Sequence, residues 1–207
     1  MKNEKLNILV KVSMLGVIAF LLMFIEIPIP VFPSFLKIDI SDLPALIGAF
    51  AMGPVAGVLI ELLKNILHGI FNGSTAFIGE FANFAVGSVM VIIAGYLYKK
   101  NKSKKTAVMS LVLGTVIMSI TAGILNYTLL LPLYEKFLGF PIKAVVAMGN
   151  KINPNIKDLN SLVVLSILPF NLLKGTLVSA LTMAVYKSVS PILHDDTFAQ
   201  SKAVKED

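Results

Sequence analysis

The sequence predicts an all-α integral membrane protein: a bundle of six transmembrane helices with both termini cytoplasmic. Three observations carry this. The chain of 207 residues is 56% hydrophobic, has a mean hydropathy of +0.83 and is only 14% charged, whereas a soluble domain carries about 25% charged residues. Several apolar runs approach or exceed the ~20 residues that a helix needs to cross a bilayer core of ~30 Å. The lysines gather in three clusters that six spans would bring to one face. With no cysteine in the chain, a disulfide framework and a thiolate metal site are excluded. With no arginine either, all 18 positive charges are lysines. The net charge of +6 therefore reads as membrane orientation, not as affinity for nucleic acid.

The first helix is expected over about residues 6–27, too long for the apolar region of a signal peptide and without a small-residue cleavage site, so it is retained. A loop "IPIPVFPSFLKIDISD" follows, where Pro28, Pro30 and Pro33 forbid regular helix. A short second helix begins near "SDLPALIGAFAMG", with Ser41 or Asp42 as N-cap and Pro44 in its first turn. "GP" at 53–54 breaks the chain and starts helix 3, "PVAGVLIELLKNILHGIF". The loop "NGSTAFIGE" leads to helix 4 at about 79–98, and helix 5 covers about 106–131. After a loop rich in Asn and Lys, the last apolar region runs from 159 to 189 with Pro169 inside it. The expected organisation is a short cytoplasmic segment (1–5), one membrane domain (6–190) and a polar cytoplasmic tail (191–207) expected to be disordered.

Lys2, Lys5 and Lys11 lie at the amino end, five lysines fall in "KKNKSKK" between helices 4 and 5, and Lys187, Lys202 and Lys205 flank the carboxyl end. The positive-inside tendency makes that side cytoplasmic. On the opposite loops lysines mix with Asp39, Asp42, Glu135 and Asp158. Depth then follows from a rise of 1.5 Å per residue. Lys174 comes thirteen residues before Lys187, ~20 Å above the inner interface, and Asn171 about one turn higher. On helix 4, Asn83 lands ~24 Å and Glu80 ~28 Å above the inner face, and on helix 5 Asn126 lands ~30 Å up. Three helices thus place polar side chains without evident partners in one outer layer.

Each has a plainer reading. Glu80 and Asn83 suit the amino end of helix 4 as capping groups, and Asn126 suits an interhelical hydrogen bond. Lys174 is harder to explain away, because a lysine inside the hydrocarbon costs on the order of 3 kcal/mol and faces a cavity or a partner. On helix 3, Glu61 and Lys64 are three apart and suit an ion pair on one face. His68, one turn on, could exchange a proton near neutral pH. Small residues on helices 2 and 3 (Gly48, Ala49, Gly53, Ala56, Gly57) and on helix 1 (Ser13, Gly16, Ala19) suit close helix packing or a membrane partner.

The chain contains no G-x-x-x-x-G-K-[ST], no H-E-x-x-H and no G-x-S-x-G, so the P-loop, metalloprotease and serine-hydrolase signatures are absent. No catalytic residue and no metal ligand is assigned, and an enzyme is not the expected reading. Amides that donate and accept at once, one lysine, and the aromatic rings of Phe35, Phe77, Phe81, Phe84 and Phe170 suit a flat molecule with polar edges.

On "FPSFLKIDISDLP", "GEFANF" and above all "LPFNLLKG", and on the spacing of six helices over residues 6 to about 190, the chain resembles the riboflavin-specific substrate-binding (S) components of energy-coupling factor (ECF) vitamin transporters. The resemblance implies that Asn171 and Lys174 contact the flavin and that Glu80 and Asn83 belong to the pocket. It also implies that Asn126 joins them from helix 5, and that the loop with Leu36 and Lys37 lies at the mouth. It further implies an outward-facing pocket in a bacterial cell membrane, riboflavin bound as transported substrate with no resident cofactor, and association with a transmembrane coupling (T) component carrying two ATPase subunits. The family's alanine-rich docking seam on helix 1 is only partly matched by Ser13, Gly16 and Ala19. The alternatives are the same architecture for another vitamin, such as pantothenate or thiamine, or an ion-coupled carrier using Glu61, Lys64 and His68.

Overall fold

A computed structural model of the protein describes Lys2–His194. Helix α1 (Lys2–Met23) starts and ends four residues before the expected limits. The reason lies beyond it, where Ile27–Pro28 (β1) pairs antiparallel with Lys37–Ile38 (β2), Ile27 opposite Ile38 and Pro28 opposite Lys37. The prolines do forbid helix here, and the freed chain folds back as a hairpin. An ion pair between Lys37 Nζ and Glu26 Oε2 at 2.5 Å closes its base.

Helix α2 (Asp42–Met52) is buried at Asp42 and along all of Pro44–Phe50, so it runs as the central post of the bundle, packed on α1 and on the long helices Pro54–Asn72, Ile78–Lys100 and Leu168–His194. Ser41 stands at its N-cap position but in the helical region of backbone space, and its side chain caps nothing. Gly53, at φ +100°, makes the break that lets α3 (Pro54–Asn72) turn back on α2. The two helices approach closely because Gly57 has no side chain: a Cβ there would stand 2.8 Å from the Ala45 carbonyl oxygen.

Helix α4 (Ile78–Lys100) is followed by α5 (Lys104–Leu125), which does not end near 131 as expected. It passes through a five-residue π-turn (Asn126–Leu130) into α6 (Leu131–Leu138). The last apolar region repeats the device: α8 (Leu159–Leu162), a π-turn (Val163–Ile167) and α9 (Leu168–His194). In each case the N–H that closes the wide turn reaches five residues back, Leu131 to Asn126 and Leu168 to Val163. A proline without a donor follows immediately, Pro132 or Pro169. The loop expected between helices 5 and 6 holds a further helix, α7 (Ile142–Asn150). The expected boundary at 190 is no helix end, and the rest of the expected polar tail, 195–207, lies outside the described residues.

Five of the described helical runs are long and apolar enough to cross a membrane, and the eleven-residue α2 is shorter than a span needs. The main core joins Leu46, Ile60, Met90, Val91, Leu111, Met118 and Val178 across α2, α3, α4, α5 and α9. A smaller cluster, Leu131, Val145, Ile156, Leu162, Val163 and Ile167, ties α6, α7 and the second π-turn together, with Phe35 and Leu36 of the hairpin packed against it. Between the two lies a cavity.

Candidate functional site

The cavity has a volume of about 570 Å³, inside the range of pockets that take small organic ligands. Helices α2, α3, α4, α5 and α9, the first π-turn, α6, α7 and the hairpin all contribute to its wall. Of the residues singled out in the sequence, Asn171, Lys174, Asn126, Glu80, Asn83, Leu36 and Lys37 line it, as do Phe35 and Phe170. Phe84, on α4, is not among the lining residues, and neither are Phe77 and Phe81. Phe77 instead lays its ring where Gly69 leaves room: a Cβ on Gly69 would stand 2.1 Å from Phe77 Cε1.

Helix α9 turns Asn171 inward, and its Nδ2 donates to the Ile167 carbonyl at 2.8 Å. Asn126 does the same on its own helix, donating to Ala122 O at 2.8 Å. With both amide nitrogens engaged, each carboxamide keeps its oxygen as an acceptor. Asn83 Oδ1 is buried and has no hydrogen-bond partner among the described residues. Such an orphan acceptor inside a protein is uncommon, and here it belongs to a residue of the cavity wall.

Glu80 does not cap α4. Its Oε1 meets His68 Nδ1 at 3.0 Å, and its Oε2 accepts from the Thr75 hydroxyl at 2.9 Å. Thr75 Oγ1 in turn accepts from the Gly79 N–H at 3.0 Å, so the hydroxyl serves helix end and carboxylate together. Two consecutive residues with positive φ, Ala76 at 49° and Phe77 at 66°, bend the loop into this position, a cost of order 1–3 kcal/mol each outside glycine. Asn72 Nδ2 lies 3.3 Å from His68 Nε2, which extends this polar edge of the cavity.

Lys174 is not without partners, as the sequence had suggested. Its Nζ lies 2.9 Å from Asp39 Oδ2 and 3.2 Å from Asp42 Oδ2. Asp42 also takes Lys64 through Oδ1, and Lys64 lies 2.9 Å from Glu61 Oε2, the expected pair on one helix face. Lys64 and Glu61 have no exposed side-chain surface and do not line the cavity, whereas His68 does line it, paired to Glu80. The three groups proposed for ion coupling therefore do not form one site. Asp39 and Asp42 are the residues that sequence reasoning missed: they read as charges of an outer loop and a helix cap. The available signal was two buried-depth lysines that needed carboxylates, with "DISD" the nearest acidic pair to the hairpin.

The chain is similar over residues 7–186 to the family model described as ECF transporter, substrate-specific component. It belongs to that family. It is 40% identical over 189 residues, 90% of this chain and 94% of the other, to the riboflavin transporter FmnP of Bacillus subtilis strain 168. It is 37% identical to the riboflavin transporter RibU of Staphylococcus aureus strain TCH60, covering 92% of this chain and 97% of that one. A solved structure of the S component of a bacterial ECF transporter superposes with a TM-score of 0.71 at 34% identity, covering 94% of this chain and all of the other. The family places the chain among membrane transporter components and not among enzymes.

Proposed function

We propose that the protein is the riboflavin-binding S component of an ECF-type uptake transporter, a six-helix membrane subunit with cytoplasmic termini and an outward-facing pocket. It captures the vitamin from outside and delivers it inward together with a transmembrane coupling component and two ATPase subunits. The observation that carries this reading is the convergence of Asn83, Asn126, Asn171 and Lys174 on one cavity, in a chain 40% identical over nearly its whole length to a riboflavin transporter.

The chemistry suits a flavin. A planar heterocycle with alternating N–H and carbonyl groups on one edge needs acceptors and donors side by side. The asparagine oxygens supply the first and the Lys174 ammonium the second. Phe35, Leu36, Leu130, Val145 and Phe170 supply apolar wall, and the carboxylate, imidazole and hydroxyl around Glu80 suit a polyhydroxylated chain. Lysine clusters at 2–11, 99–105 and 187–205 support the orientation.

The test is purification in detergent from cells grown with the vitamin. The protein is expected to be yellow and to release riboflavin on denaturation, with added riboflavin displaced by neither thiamine nor pantothenate. A colourless protein whose ligand site takes thiamine or pantothenate instead would contradict the assignment.

A further inference from the structure

Lys174 stands at the cavity in a closed ring of hydrogen bonds and ion pairs. Its Nζ meets Asp39 Oδ2 at 2.9 Å and Asp42 Oδ2 at 3.2 Å. Neither carboxylate is free on its other oxygen. Asp39 Oδ1 accepts from the Ser41 N–H at 2.9 Å and from the Ser41 hydroxyl, and Asp42 Oδ1 accepts from Lys64. Lys64 Nζ also donates to Ser41 Oγ at 2.9 Å, which completes the circuit Lys174, Asp42, Lys64, Ser41, Asp39. Its members come from the stretch that joins the hairpin to α2, from α2 itself, from α3 and from α9.

Two ammonium groups face two carboxylates in this ring, so the charge of Lys174 is matched before any ligand arrives. An ammonium has three N–H donors; Lys174 gives one to Asp39 in a hydrogen bond and faces Asp42 as an ion pair. The side chain keeps 11% exposure, on the cavity it lines. A lysine stem has four rotatable carbons and high rotamer freedom. Fixing it in advance removes an ordering cost that ligand binding would otherwise carry.

We infer that Asp39 and Asp42 are positioning residues for the ligand: they fix the Lys174 ammonium at the cavity wall with a remaining N–H turned inward, to meet a neutral acceptor such as a ring carbonyl or ring nitrogen and not an anion. This rests on the flavin reading of the cavity. The carboxylates act through Lys174 and touch no ligand atom themselves.

The test is a double-mutant cycle read by quenching of riboflavin fluorescence in detergent. Asp39→Asn and Lys174→Met are each expected to weaken binding about tenfold or more, the range of a charge-assisted hydrogen bond. The double variant is expected to bind no more weakly than Lys174→Met alone, because Asp39 has nothing left to position. A carboxylate that merely braced the loop would weaken both backgrounds equally, and that result would overturn the inference, as would Asp39→Asn with wild-type affinity. Should Asp39→Asn not fold, Ser41→Ala leaves every charge in place and is expected to weaken binding only when Lys174 is present. Displacement of riboflavin by pantothenate, a carboxylate, would overturn the neutral-acceptor part. If wild type itself fails to quench riboflavin, the flavin reading falls and this inference with it. If wild type binds and the cycle is additive, only this inference falls.

Discussion

Glu61 Oε2 lies 2.9 Å from Lys64 Nζ, one turn away on α3, and neither side chain has any exposed surface. The geometry is that of an ion pair without hydrogen-bond alignment, since both carboxylate oxygens of Glu61 lack a hydrogen-bond partner. Lys64 spends its donors on Asp42 and Ser41. Glu61 is thus the surplus charge of the cluster. Replacing it with its neutral isostere, Glu61→Gln, is expected to leave the unfolding temperature in detergent unchanged or raised. Lys64→Met strands the buried Glu61 carboxylate and leaves Asp42 to Lys174 alone, and it is expected to lower stability by about 3–5 kcal/mol. A Lys64→Met protein as stable as wild type would show that the cluster is not held by this lysine.

The asparagines should matter less than the lysine. Asn171→Ala and Asn126→Ala each remove one neutral acceptor from the cavity and are expected to weaken riboflavin binding by about 1 kcal/mol, while Lys174→Ala should cost about 1.5–3 kcal/mol. Isothermal titration with each variant checks the order. Equal affinity in all three would place the ligand elsewhere.

Two glycines separate packing from binding. A Cβ on Gly57 would meet Val91 Cγ1 at 2.3 Å, Ala49 Cβ at 2.8 Å and the backbone oxygen of Ala45 at 2.8 Å. The oxygen cannot move without moving α2. Gly57→Ala is therefore expected to lower stability by about 1–3 kcal/mol while the folded fraction keeps its affinity, because Gly57 does not line the cavity. Gly87 does line it, and a Cβ there would press on Glu61 Oε2 at 2.8 Å and Cδ at 3.0 Å. Gly87→Ala should lower affinity as well as stability, as thermal unfolding with and without riboflavin would show.

These predictions rest unequally on the sequence. Hydropathy was enough for the long apolar helices, and depth counting brought Asn83, Asn126, Asn171 and Lys174 to one layer because a regular helix fixes height by residue number. Nothing in the sequence gives direction around a helix, so Phe84 was included as an aromatic ring for the ligand and the cavity wall leaves it out. The π-turns ahead of Pro132 and Pro169 were legible only as a defect at the second proline, since a wide turn has no residue signature of its own. Asp39 and Asp42 stayed hidden because their role depends on where a proline-rich hairpin folds, which is a long-range property. Helix α7 was lost in a polar loop because, of its nine residues, only Val145 and Gly149 are buried.

The start of α8 offers a pH test outside the spans. Asp158 caps it, accepting from the Ser161 N–H at 2.8 Å while the Ser161 hydroxyl returns to Asp158. The Ser161 backbone and side-chain hydrogen bonds hold the Asp158 carboxyl below its ordinary value of 3.8. A depressed folded value means that the cap stabilises the fold above the ordinary carboxylate range and ceases to as pH falls through the folded value. Asp158→Ala should therefore unfold at a slightly lower Tm than wild type at pH 7, with the gap closing in acid. A gap that is constant with pH would show that the carboxylate charge is not what the cap supplies.

The most direct measurement is a titration of riboflavin with the purified wild-type protein in detergent, followed by flavin fluorescence. The account predicts saturable quenching with a stoichiometry of about one flavin per chain, the capacity expected of a single ligand pocket, and strong weakening in Lys174→Met. Fluorescence unchanged by a molar excess of folded protein, or quenching indifferent to Lys174, would contradict it.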